Sequence, residues 1–415
     1  MAHLSGSPAE PSLISLGEAG ERAAALVAPI AGVLELPLAS ADGHVLAESV
    51  VAPRDLPPFA NSAVDGYAIR FADLAPGGQT RLPLLGRSAA GEAPPAALGR
   101  GAWRIFTGAP VPAGADTVVM QEEVRIEGGS VVLPAEIEPG ANLRLAGEDV
   151  ARGQVVLPAG RRLRPQDLGL LAALGLARIG VRPRPRVALF STGDELAEPG
   201  EALGPAAIYD ANRAMLRALF ERAGAEVADL GILRDEAEGL EKRLREAAGA
   251  CDLVVTSGGV SVGEADHVRA AVEAGGALDL WRVAIKPGKP IAVGRVAGTP
   301  FVGLPGNPVA VFIGFAFIAR RLLARLAGAV YEPPVALPVT LGFAHRKRAG
   351  RCEFLRVSLE RAADGTVLAR KHRGEGAGSL ASLAQSDGLV VLAEAIEQVE
   401  EGDSAPFLSH ADLLG

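Results

Sequence analysis

Residues 256–266 read Thr256-Ser257-Gly258-Gly259-Val260-Ser261-Val262-Gly263-Glu264-Ala265-Asp266, after the apolar run Leu253-Val254-Val255 and before a segment with helical spacing, Asp266 to Ala274. A strand that ends in small residues and glycines before a helix lets bare backbone N–H groups converge on an anion. Two carboxylates at the far lip, Glu264 and Asp266, would repel a naked phosphate, which calls for a cation between them. The stretch reads as the site of a phosphorylated ligand with a metal, with Ser257, Gly258, Gly259, Ser261 and Gly263 as its cradle.

Outward from this loop, strand and helix alternate between Arg186 and Ala327. Short apolar runs predict strands at 187–190, 227–233, 253–255 and 278–285. Periodicity predicts helices at 210–223, with Met215, Leu216, Leu219 and Phe220 on one face, and at 236–248. Ala297-Gly298 joins two further runs, 291–296 and 299–304, as a hairpin, and a helix over 308–326 has Pro308 in its first turn. An α/β domain with a mostly parallel sheet follows, and such sheets bind ligands at the carboxyl ends of their strands. Five loops at that edge carry unusual chemistry: Ser191-Thr192-Gly193-Asp194-Glu195, Arg234-Asp235, the 256–266 loop, Lys286-Pro287-Gly288-Lys289, and Gly303-Leu304-Pro305-Gly306-Asn307-Pro308.

Each has a plainer reading. Ser191 to Glu195 could be a turn held by local hydroxyl and Asx hydrogen bonds. Glu264 suits the dipole of the following helix, whereas Asp266 suits a ligand role. Asp235 could cap its helix. Two prolines around a glycine stiffen the 303–308 turn at a helix start, which suits an anionic oxygen. Of 41 basic residues only five are lysines, and two of these, Lys286 and Lys289, share one turn. In an arginine-dominated chain this suggests that a compact ammonium is wanted there.

At 415 residues the chain predicts two to four domains. Its 51 glycines and 30 prolines imply many tight turns, and a net charge of -8 argues against a general nucleic-acid binder. Cys251 and Cys352 stand alone, so neither a disulfide framework nor a zinc site is expected, and a reducing compartment fits. The N-terminus has no secretory pattern, and the greasiest run, 309–319, is too short to span a bilayer. The expected location is cytoplasmic, with neither membrane nor nucleic acid as partner. The six histidines form no metal-ligand spacing.

Before Arg186, residues 16–30 and 165–174 read as helices, while 55–148 is rich in glycine, proline and short β-type runs. The tail after Tyr331 shows strand-like runs at 335–342, 352–359, 366–370 and 389–393, a small β domain. The segments Asn61-Ser62-Ala63-Val64-Asp65-Gly66-Tyr67-Ala68, Thr107 to Asp116 and Gly147-Glu148-Asp149 read as polar loops on physical grounds alone.

Taken together, NSAVDGYA (61–68), TGAPVPAGAD (107–116), GED (147–149), STGDEL (191–196), SGGVSVGEAD (257–266), KPGKP (286–290) and GLPGNP (303–308) closely resemble the MoeA, or molybdopterin molybdenumtransferase, family. Seven ordered segments make a specific signal. The resemblance implies four parts: a discontinuous, partly helical linker domain (1–52 and 150–183), an inserted β-containing domain (53–149), the α/β molybdopterin-binding domain (184–331) and a C-terminal β domain (332–415). It implies a homodimer with the site between subunits. The implied reaction inserts molybdenum from molybdate into adenylylated molybdopterin with release of AMP, assisted by a divalent cation such as magnesium. Possible handover partners are the molybdopterin adenylyltransferase and the receiving molybdoenzymes.

By the same resemblance Asp65, Asp149, Glu195, Asp235, Asp266 and Lys286 are the catalytic positions, with Glu195, Asp235 and Asp266 holding the metal. Thr107, Arg282, Lys289, Pro305, Pro308 and Arg356 join the glycine-loop residues in binding substrate. Three positions depart from the family pattern: Arg282 and Ala377 where lysine and serine are usual, and Ala60 where aspartate is usual. Ser379 is a nearby substitute hydroxyl. Two alternatives remain at this point. A molybdopterin adenylyltransferase shares the α/β unit but would lack the insertion and the β tail, and a non-catalytic scaffold would rest on the departures alone.

Overall fold

The computed structural model describes residues 13–414 except 94–96, 235–236, 260–266, 277, 289 and 375. Asp235, Ser261, Gly263, Asp266 and Lys289 therefore lie outside the described residues.

The central sheet has six strands in the order 226–233, 186–192, 253–257, 299–304, 290–296, 278–282. All run parallel except Pro290–Val296, which is antiparallel to both its neighbours. The expected hairpin closes between Val296 and Thr299. Strands such as Leu253–Ser257 are buried along their whole length, as continuous apolar runs require when helices cover both faces. One face packs Val187, Leu189, Leu253, Val255 and Val302 against Leu216, Phe220 and Phe315. The other packs Ala188, Phe190 and Val254 against Leu240, Leu244 and Val272.

The helix expected over 308–326 runs as Pro308–Gly314, one π turn at Phe315–Ala319, and Arg320–Leu326. The first helix, Leu16–Ala25, starts on a Ser15 cap and ends five residues before the expected Ile30. Its Ala19 and Ala23 are fully buried in the α/β core, so small side chains let it approach the Phe315–Leu326 region closely.

Flanking this unit are three further bodies. Strand pairs 34–37 with 178–181 and 50–51 with 155–157 enclose Leu46, Leu157, Leu163 and Leu171 together with the helix Pro165–Ala173. The insertion is a six-stranded sheet ordered 117–120, 66–69, 102–105, 80–88, 130–133, 125–127, around Tyr67, Ile69, Leu82 and Val131. In the tail, strands 352–361, 367–371, 337–341, 404–409 and 388–392 pair in a closed ring, because 352–361 also bonds 388–392. Ring closure leaves no free edge, and the interior is filled by Leu341, Val357, Ala369, Val390 and Phe407.

One expectation is corrected. The run 278–285 is not a single strand: Leu278–Arg282 ends the central sheet, and Ile285–Lys286 pairs in parallel with Cys352–Glu353 of the tail barrel. The apolar pattern marks both pieces as buried but carries no signal for which sheet each joins. Among the described residues no helix is long and apolar enough to cross a membrane.

Candidate functional site

The carboxyl ends of the central strands converge on a connected wall of loops. Gly258 and Gly259 have φ of +91° and +64°, conformations that glycine adopts without strain. Both lie against Thr192: a Cβ on Gly258 would sit 2.5 Å from the Thr192 carbonyl oxygen, and one on Gly259 2.6 Å from its Oγ1. The end of strand 186–192 therefore packs directly on Gly258 and Gly259. The Gly258 N–H donates to the Leu304 carbonyl at 3.0 Å, which joins the third loop.

A residue that the sequence did not single out ties these loops together. Asn212, second in the helix Ala211–Arg222 and buried, donates from Nδ2 to Ser257 Oγ at 2.9 Å and to the Gly306 carbonyl at 2.7 Å. Beside it Arg213 binds Asp210 at 2.9 Å, Asp229 at 2.5 Å and also Glu198. Burial opposes the Arg213 charge, but the Asp229 and Asp210 carboxylates outweigh it and raise its pKa. The Asp210 carboxylate, 2% exposed, also caps the helix through the Arg213 N–H, so the start of this helix is locked in place. The only local signal was Asp210-Ala-Asn212 at a helix start, which reads as an ordinary cap.

Pro305 and Pro308 flank the turn into the helix Pro308–Gly314, and the Val309 N–H donates to the Ala377 carbonyl at 3.0 Å, which brings the tail barrel to the site. Gly288 presses on Ala310, where a Cβ would come within 2.9 Å of the alanine methyl. A cavity of about 280 Å³ lies here, lined among others by Lys286, Glu353, Arg356, Lys371 and Ala377. Lys286 Nζ, about half exposed, donates to Glu353 Oε1 at 2.8 Å. Glu353 is 5% exposed and also lies 3.3 Å from His345 Nε2, so the lysine is aimed by a buried anchor. Sequence reasoning missed Glu353, since a carboxylate in a strand is normally solvated and only its burial gives it away.

Arg356 is almost fully buried; it donates from Nε to Ser382 Oγ at 2.9 Å and from Nη2 to the Gly374 and Gly376 carbonyls. Its guanidinium thus braces the glycine-rich turn that carries Ala377 as well as lining the cavity. Arg282, the last residue of strand 278–282, is half-buried. Glu195 is exposed, with its carboxylate folded over Gly193, where a Cβ would meet Oε2 at 2.6 Å.

In the insertion, the Thr107 N–H and Oγ1 both donate to Asp65 Oδ1, at 2.8 and 2.9 Å. The Thr107 amide, then its hydroxyl and nearby Arg104, hold the Asp65 carboxyl below the usual aspartate range against a smaller opposing effect of burial. Asp149 is exposed, its N–H bonded to the Leu56 carbonyl. Among the described residues, no hydrogen bond or ion pair joins Asp65, Thr107 or Asp149 to the wall formed by Ser257, Pro305 and Lys286. Nor is any cluster of three or more metal-ligating side chains found among those residues.

A mostly parallel, helix-covered sheet with glycines and proline turns at its carboxyl edge, beside a lysine held by the tail barrel, defines a class: open-sheet α/β proteins. Comparison with known proteins is specific. Residues 14–175 match the MoeA N-terminal region (domains I and II), 188–325 a probable molybdopterin binding domain, and 338–409 the MoeA C-terminal region (domain IV). The chain is 38% identical over 386 residues to the molybdopterin molybdenumtransferase of Haemophilus influenzae, covering 92% of this chain and 94% of that protein. It is 40% identical over 383 residues to molybdopterin molybdenumtransferase 2 of Mycobacterium tuberculosis, covering 89% and 93%. A crystal structure of the molybdopterin biosynthesis MoeA protein from Pyrococcus horikoshii matches with a TM-score of 0.81 at 31% identity, over 96% of this chain and 100% of that one. The chain belongs to the MoeA family.

Proposed function

We propose that this protein is a molybdopterin molybdenumtransferase that joins molybdate to the dithiolene of adenylylated molybdopterin and releases AMP. The observation that carries the reading is the continuous wall from the glycine loop through Asn212 and Gly306 to Lys286 and Glu353, with backbone amides at one end and an aimed ammonium at the other. The relatives named molybdopterin molybdenumtransferase support the molybdenum transfer.

In this reading the amides of the glycine loop from Gly259 onward orient the pterin phosphate, with the Gly258 N–H fixing the start of the loop to Leu304. Lys286, held by Glu353, neutralises oxyanion charge that grows as molybdate is bound and the phosphoanhydride opens. Arg356 keeps the 374–378 turn in position, and Ala377 leaves that turn without a side-chain hydroxyl. Glu195 suits a hard cation: it offers an oxygen donor without a described partner, and Asp235 and Asp266 would complete an all-oxygen set for magnesium. That ion, when bound, would offset phosphate charge. Asp65, Thr107 and Asp149 would complete the site from the second subunit of a homodimer. The enzyme would work in the cytoplasm, take substrate from the adenylyltransferase and pass product to molybdoenzymes.

The test is incubation of the protein with adenylylated molybdopterin and molybdate, following AMP release and reactivation of an apo-molybdoenzyme. Lys286→Gln should lower both by about 10²–10³. Unchanged turnover in that variant, with the fold intact, refutes the assignment. AMP-adduct formation from molybdopterin and ATP without molybdate would point to the adenylyltransferase instead.

A further inference from the structure

We propose a second anion site, specific for a phosphate dianion, in the cavity where the linker body meets the α/β domain. This cavity, about 490 Å³, is of the size used for small ligands. Three guanidiniums on its wall come from three separate segments: Arg162 before the helix Pro165–Ala173, Arg184 just ahead of strand 186–192, and Arg320 at the start of the helix Arg320–Leu326.

None of the three has a carboxylate partner among the described residues. Arg162 Nη1 donates to the Gly43 carbonyl at 2.8 Å, Arg320 Nη1 to the Asp412 and Leu413 carbonyls at 3.1 and 3.2 Å, and Arg184 Nε to His44 Nε2 at 3.2 Å. The acids on the same wall are otherwise placed. Glu221 pairs with Arg217; Glu332 and Asp412 favour the Arg320 charge without an ion pair, against a larger effect of burial, and Asp42 does the same for His44. Arg161 and Arg164, also on the wall, share Asp167.

The three charges feel one another. Burial first, then Arg184 and Arg320, pull the Arg162 pKa down, and burial together with Arg184 and Arg162 lowers that of His44. His44 Nδ1 is buried without a hydrogen-bond partner. Like charges held half-buried by neutral carbonyls and an imidazole, and only partly offset by Glu332 and Asp412, are unfavourable until an anion enters. A tetrahedral dianion matches several guanidinium forks at once, through charge-assisted hydrogen bonds. Because the arginines come from both bodies, its binding would clamp the linker to the α/β domain. Free phosphate and the terminal phosphate of a monoester share this chemistry.

The experiment is thermal unfolding and titration calorimetry of the full chain with inorganic phosphate, and separately with AMP, against sodium chloride of equal ionic strength. Lys286→Gln, which weakens the other anion-binding wall, should keep a saturable rise in Tm with phosphate. The double variant Arg162→Gln/Arg184→Gln should be at least as stable as wild type in chloride, because repulsion is relieved. Its phosphate affinity should fall by about tenfold or more, as expected for lost charge-assisted bonds. The larger response, to phosphate or to AMP, identifies the source. No phosphate response in wild type, a response lost in Lys286→Gln, or one retained in the double variant overturns the proposal. If the double variant does not fold, Arg184→Gln alone carries the same test.

Discussion

Replacing Asn212 tests whether the anion-binding wall is one unit. Asn212→Ala removes the two donors that hold Ser257 Oγ at 2.9 Å and the Gly306 carbonyl at 2.7 Å. At roughly 1 kcal/mol per hydrogen bond, the loss is about 2 kcal/mol, with part of it the cost of a Gly306 carbonyl left dry. Asn212→Asp should be worse at neutral pH. The Ser257 hydroxyl can turn and donate to a carboxylate, but a carbonyl cannot, so oxygen would face oxygen in a buried place. Tryptophan fluorescence in urea gives the measurement. The chain has two tryptophans, Trp103 in the insertion and Trp281 in the central sheet, so a Trp103→Phe background makes Trp281 report the α/β domain alone. With a slope of about 2 kcal/mol per molar urea, Asn212→Ala should move the midpoint down by roughly 1 M without changing the slope. A shift below about a quarter of that, or an aspartate variant milder than alanine, would show that the loops are held by something other than this side chain.

Other outcomes follow from the same structure. The Asp65–Thr107 clamp rests on a lowered carboxyl pKa, so its contribution is complete above the ordinary value of 3.8 and fades as pH falls through the lower folded value. The stability difference between wild type and Asp65→Asn should therefore be constant at neutral pH and shrink only in acid; growth of the gap on acidification would contradict the sign. Gly66→Ala should destabilise the insertion by about 1–3 kcal/mol, because the added methyl would overlap the Val119 carbonyl between strands 66–69 and 117–120; circular dichroism melting checks this. Burial pushes the Cys352 thiol up to about 12, so iodoacetamide at pH 8 should leave it unmodified until the protein is unfolded.

The α/β domain was legible because its signals are local. Uninterrupted apolar runs mark strands buried on both faces, and the 3.6-residue spacing of Leu216, Leu219 and Phe220 marks the helix covering them. Gly258 and Gly259, with positive φ, and the 303–308 turn between Pro305 and Pro308 were legible for the same reason: glycine and proline mark them in the sequence. What the sequence left hidden depends on partners far along the chain. Asn212 matters through Ser257 and Gly306, 45 and 94 residues away. Glu353 matters because a barrel wall buries it beneath Lys286, 67 residues earlier. Strand Ser404–Ser409 escaped notice because Pro406 breaks its pattern, yet it forms one stave of the barrel. The NSAVDGYA segment looked like loop because its two strands, Asn61–Ser62 and Gly66–Ile69, are too short for alternation to show.

The parallel pairing of Ile285–Lys286 with Cys352–Glu353 sets a limit on how this chain can be divided. Cutting after residue 331 would strip the α/β core of Phe354, Leu389, Leu408 and Leu413, which pack into it, and the lysine would lose both the backbone ladder and the carboxylate that direct it. Such a fragment should be both destabilised and chemically mute. The tail is thus part of the working edge of its neighbour, and a chimera that swaps only the middle would have to import the barrel strand along with it.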